Sequence, residues 1–168
     1  MLTLLTTVSP YNPVCMQANR AMRQLLPDGT PPRSPDVLPD DLTKILRDGM
    51  RVVEDCLVVG KSSTVPRLVS VRAAVMDKTG YECFVNHVHL KESGDSAVVL
   101  GHAVAFCKRV SAEALSVAPN RLVRFIISKN GTDWTVHFHT LRPDENYVSD
   151  DLEGYAEEAV LVLDSSEL

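Results

Sequence analysis

An Asn-Gly pair at 130–131, set between two alternating apolar runs, constrains this chain more than any other feature. The tightest hairpin turn needs positive φ at both central residues, which asparagine tolerates and glycine adopts freely. A two-residue loop there sets Lys129 opposite Thr132, Ile127 opposite Trp134, Phe125 opposite Val136 and Val123 opposite Phe138. Val123, Phe125, Ile127, Trp134, Val136 and Phe138 then share one face. Leu122, Arg124, Ile126, Thr135, His137 and His139 share the other. A one-residue slip would mix the two sets, so the segregation favours this pairing.

Period-two patterning recurs upstream. Val69, Val71, Ala73 and Val75 alternate with Ser70, Arg72, Ala74 and Met76, and Asp77-Lys78-Thr79-Gly80 supplies a turn. The pattern predicts a second hairpin in which Val75, Ala73 and Val71 face Cys83, Val85 and His87. Residues 96–109 read as a further strand on their β-branched content, the rival being a helix apolar all round and weakened by Gly101. Ser111–Ala118 reads as a short helix ended by Pro119. Near the C-terminus a helical turn is expected, then a strand over Val160-Leu161-Val162-Leu163.

The N-terminal part carries helical signals. Asn12-Pro13 resembles an N-cap followed by proline in the first helical position, opening a helix to Leu26. Five prolines between 27 and 39 predict a stiff connector. After Asp40 and Asp41, the residues Leu42, Ile45, Leu46, Gly49, Val53, Cys56 and Leu57 follow helical spacing, predicting an amphipathic helix over 40–60 ended by Gly60. The expected fold is α+β: two N-terminal helices on a mainly antiparallel sheet of five or six strands. One domain, 1–168, is expected to hold residues 1–39 as helix plus connector, 40–60 as helix, 67–141 as sheet and 142–168 as an acidic segment.

Four cysteines (Cys15, Cys56, Cys83, Cys107) without a CxxC pair predict reduced thiols rather than a zinc site or a disulfide framework. Cys15 near a helix start is a conceivable nucleophile, but no histidine partner stands beside it in sequence. The start lacks a basic, apolar leader and no run is long enough to span a bilayer, so a cytoplasmic protein is expected.

Charge is distributed unevenly. Residues 142–168 hold nine carboxylates and one arginine, a net of −8 within a chain whose total is −5; the other 141 residues, with 13 acids and 16 bases, are therefore +3. A dense negative surface attracts basic proteins and repels nucleic acid and anionic membranes. Aromatic side chains among carboxylates are the anchors that interfaces use. Asp144, Glu145, Tyr147, Asp150, Asp151, Glu153, Tyr155, Glu157 and Glu158 are therefore the expected contact set for a basic protein partner. The leading expectation is a binding or inhibitory protein, of the immunity-protein or antitoxin kind, more than an enzyme and without a cofactor. A homo-oligomeric adaptor is a further alternative.

Two His-x-His pairs carry the chemical alternative. On a strand this spacing points both imidazoles from one face. His87 and His89 with Glu92 would suit a metal, and His137 and His139 beside a phosphate-holding Arg124 would suit acid–base hydrolysis.

Overall fold

The computed structural model describes residues 16–60, 65–71 and 74–168. The expected Asn12-Pro13 cap, Val14, Cys15, Arg72 and Ala73 lie outside these residues. The class is α+β. Five antiparallel strands form one sheet in the order β1 (Gln17–Ala18), β7 (Ala159–Asp164), β5 (Val123–Asn130), β6 (Asp133–Thr140), β4 (His87–Leu90). Among the described residues no helix is long and apolar enough to cross a membrane.

The hairpin of β5 and β6 keeps its expected faces but slides by two residues. Asn130 pairs with Asp133, Ile127 with Val136 and Phe125 with Phe138, so the loop is Gly131-Thr132, with Gly131 at φ 58°. A slip of two preserves which face each side chain occupies, so alternation alone cannot distinguish the two pairings. Cross-strand contacts accompany the observed one: Phe125 and Phe138 rings 5.8 Å apart on the core face, and Ser128 Oγ 2.8 Å from Thr135 Oγ1 on the other.

The strand expected over 96–109 is instead part of a 22-residue helix, α5 (Ser96–Val117), capped by Asp95, whose carboxylate accepts the Ala97 N–H at 2.8 Å. An all-round apolar surface suits a helix enclosed on several sides. Leu100, Val104, Phe106 and Val110 join Phe125, Trp134, Phe138 and Leu161 in the main core. Gly101 faces the proline-rich connector; a Cβ there would lie 3.3 Å from the Arg33 carbonyl oxygen. Burial outweighed the strand preference of the valines.

The helix expected over 40–60 ends early. It covers α2 (Asp40–Arg47), then Gly49 takes φ 74° and the chain becomes a hairpin of β2 (Met50–Val53) and β3 (Cys56–Val59). Its turn is Glu54-Asp55, at φ 50° and 66°. Neither residue is glycine or asparagine, so the signal for this turn was weak; Lys78 and Arg121 both bind the Asp55 carboxylate.

The hairpin expected over 67–89 is also replaced, by α3 (Leu68–Val71) and α4 (Lys78–Val85). Asp77 is an N-cap, accepting the Gly80 N–H at 2.7 Å, rather than the first residue of a β-turn. Only β4 survives as strand, and it pairs with β6, so His87 faces His137 rather than Val71. The first helix is a single turn within the described residues, α1 (Arg20–Arg23), preceded by strand β1. The expected turn-then-strand near the C-terminus is present: a 3-10 turn at Leu152–Gly154, then β7.

Three layers result. Helix α5 covers one face of the sheet, while α4 and the segment from about 146 to 158 cover the other. There Cys83, Ile126, Leu152, Val160 and Val162 form a smaller apolar cluster. Strand β7 is buried on both faces, which explains its unbroken apolar run.

Candidate binding groove

The acidic segment is fixed to the body at both ends. At its start Arg142, the one base between 142 and 168, turns inward to Glu82 of α4, which is fully buried. Arg142 Nη1 and Nη2 donate to the two Glu82 oxygens at 3.0 and 2.9 Å. Burial works against the Arg142 charge, but the hydrogen bonds and charge of Glu82 outweigh it, and its pKa is raised. At the far end Asn19, also buried, donates through Nδ2 to the carbonyls of Tyr155 and Glu158 at 3.2 and 2.6 Å, and its Oδ1 accepts the Val160 N–H at 3.0 Å. Leu152 is buried between these anchors.

Beside this segment His87 and His137 meet, with His89 next to His87 on the exposed side. His87 and His137 are cross-strand neighbours with stacked rings 4.2 Å apart, His89 lies 4.5 Å from His87, and Tyr147 lies 5.5 Å from His137. His137 Nδ1 donates to the Cys83 carbonyl at 3.0 Å, which sets its tautomer. Burial lowers the pKa of His137, offset in part by that bond; burial and then the neighbouring imidazoles lower that of His87. Both shifts favour the uncharged imidazole. His89 bonds Asp133 at 3.0 Å on the exposed side.

The chemical alternatives are not assembled. Among the described residues no group of three or more His, Cys, Asp or Glu side chains is placed to hold a metal. Glu92 does not join His87 and His89; it accepts the indole N–H of Trp134 at 2.8 Å. Arg124 is held by Asp164 through two bonds, 2.8 and 2.9 Å, rather than open to a phosphate. Its cross-strand neighbour is His139, not His137 as the earlier pairing implied. His139 is 1% exposed, donates from Nδ1 to the Thr140 carbonyl at 2.9 Å, and its buried Nε2 has no partner among the described residues.

The expected partner-binding carboxylates divide into two groups. Glu145 lies 3.8 Å from Arg142 and Glu153 lies 2.7 Å from Arg23, so their charge is partly met within the chain. Asp144, Asp150, Asp151, Glu157 and Glu158 form no ion pair among the described residues. All are exposed except Glu158, which is half-buried in the wall of a cavity of about 410 Å³. His87, His137, Tyr147 and Tyr155 line that cavity with it. So do Ser128, Asn130 and Asp133, which read in sequence only as strand and turn residues. Asp150, Asp151 and Glu153 instead border a separate cavity against Gln17 and Arg23.

A family model matches residues 17–168, which include every element described above. The chain belongs to the Uncharacterized protein PM0498 family. No curated protein and no solved structure matches it.

Proposed function

We propose that this chain is a binding protein that engages a basic protein partner through the face made by residues 144–158, as an immunity protein or antitoxin would. The supporting observation is that the acidic segment lies tethered over the sheet while five of its carboxylates form no ion pair among the described residues. A partner's lysines and arginines would find those charges held in place, so little ordering cost opposes binding. The carboxylates without an ion pair speed encounter, and Tyr147 and Tyr155 offer aromatic anchors beside the half-buried Glu158. Phosphate-bearing partners are repelled by the same field. Free, buried Cys56, Cys83 and Cys107 are consistent with a reducing compartment such as the cytoplasm.

The test is selection from a displayed random peptide library against the wild-type chain and against the D150K/D151K/E157K/E158K variant. Wild type should enrich lysine- and arginine-rich sequences that lose binding to the variant, with both proteins melting cooperatively. Enrichment of neutral or acidic peptides, or equal capture by the variant, would overturn the proposal.

A further inference from the structure

Three cavities on the α4 side of the sheet are neighbours, each sharing wall residues with the next. The cavity walled by Glu158 shares His87, His137 and Tyr147 with one of about 470 Å³ beside Phe84 and Asn146. That second cavity shares Val75, Met76 and Asp77 with a third of about 360 Å³, which reaches Leu68 and Val69. They lie in a row from α3, along α4, to the end of the β5–β6 hairpin, here termed the groove.

The chemistry changes along this groove. Its α3 end is apolar and open: Met76 is 101% exposed, Val69 69% and Phe84 53%. Large apolar side chains gathered at the surface mark an interface, and methionine adapts its shape to what covers it. Its hairpin end carries Tyr147, Tyr155, Glu158 and Asp133. At the apolar end the walls carry Asp77, the cap of α4, together with Glu54, which lies 3.9 Å from Arg67, Glu145, which lies 3.8 Å from Arg142, and a single lysine, Lys78, which Asp55 binds at 2.7 Å. The groove is thus apolar at its α3 end and acidic chiefly at its hairpin end, where Glu158 forms no ion pair among the described residues. An anionic lipid surface meets the wrong charge at that hairpin end.

We propose, resting on the basic-partner reading above, that the partner docks one amphipathic basic segment along this groove. Its apolar side chains cover Val69, Met76 and Phe84, and a lysine or arginine enters among Tyr147, Tyr155 and Glu158. A cation over phenol rings beside a half-buried carboxylate gains from both.

Three fluorescein-labelled peptides test this by anisotropy against the full chain. One holds lysine and serine only, one places leucine on one face between the lysines, and one replaces those lysines by glutamate. The lysine–leucine peptide should bind roughly tenfold tighter than the lysine–serine peptide, the gain expected of a few apolar anchors. The V69S/M76S/F84S variant should remove that difference and leave lysine–serine binding unchanged. All three positions are solvent-facing, and a thermal melt checks that the fold persists; E158K, at the other end, should weaken both lysine peptides. If the serine variant still prefers leucine, the groove inference falls while the basic-partner reading stands. If neither lysine peptide responds to D150K/D151K/E157K/E158K, the basic-partner reading falls and this inference with it. Equal binding of the glutamate peptide would overturn the charge argument.

Discussion

Replacing Glu82 by alanine should be among the most damaging single changes in this protein. Its carboxylate accepts the Leu57 N–H at 2.6 Å, the Thr140 N–H, the Thr140 hydroxyl at 3.1 Å and the Arg142 Nη1 and Nη2 hydrogens at 3.0 and 2.9 Å. One side chain therefore joins β3, the end of β6 and the start of the acidic segment. Alanine leaves two buried amides without acceptors, each costing about 1–3 kcal/mol. It also strips Arg142 of its charge partner, for which breaking a buried pair costs about 3–5 kcal/mol. These contributions overlap. Arg142 keeps carbonyl bonds to Asp55 and Thr140 at 3.1 and 3.3 Å, and Glu145 stands 3.8 Å away. We expect a loss of about 4 kcal/mol, a large share of the roughly 5–15 kcal/mol typical of a domain. Arg142→Ala should cost less, about 2–3 kcal/mol, because Glu82 retains three donors. Trp134, the single tryptophan and fully buried, reports unfolding in urea by fluorescence. With a slope of about 2 kcal/mol per molar, the Glu82→Ala midpoint should fall by about 2 M. A loss under about 1 kcal/mol, or a larger loss for Arg142→Ala, would refute the view that the orphaned amides dominate.

Burial holds the His139 pKa below its ordinary value, so the folded chain refuses a proton that the unfolded chain accepts near pH 6.5. Stability should therefore be unaffected by this group above about pH 6.5. Below that it should fall by up to about 1.4 kcal/mol per pH unit, until the folded-state pKa is reached. Urea titrations between about pH 7.5 and 5.5 should show this, with a shallower slope in His139→Leu; identical slopes would contradict it. Asn19→Ala removes the tether on Tyr155, Glu158 and Val160, and should cost about 2–3 kcal/mol. Amide exchange should accelerate over residues 150–160 and remain slow in β5 and β6; uniform acceleration would argue against a local tether. Desolvation pushes the Cys83 and Cys107 thiols well up and the Cys56 thiol up to about 11. None of these three should react with a disulfide reagent until denaturant is added, as mass spectrometry of the modified peptides would show.

Much of the fold class and little of the site was legible in the residues. The two faces of the β5–β6 hairpin followed from alternation, because a pleated strand sends successive side chains to opposite sides whatever its neighbours do. The turn before β7 followed from local residue patterns in the same way. The misread segments share a cause. In residues 96–109 strand and helix preferences were nearly balanced, and enclosure on several sides chose the helix. At 49–60 a left-handed Gly49 and the Glu54-Asp55 turn, whose carboxylate Lys78 and Arg121 bind, converted a helical stripe into a hairpin. Asp77 suits a turn or a cap equally well, and packing of Tyr81 and Cys83 decided for the cap.

The order of residues alone determined that 142–168 form a strongly negative stretch containing two tyrosines. Which carboxylates form an ion pair within the chain was decided in three dimensions, since Arg23 lies far from Glu153 in sequence and meets it only after β1 pairs with β7. The gathering of His87, His89, His137 and Tyr147 was decided there too. It depends on β4 pairing with β6 rather than with its own sequence neighbours, a long-range choice that no local pattern encodes.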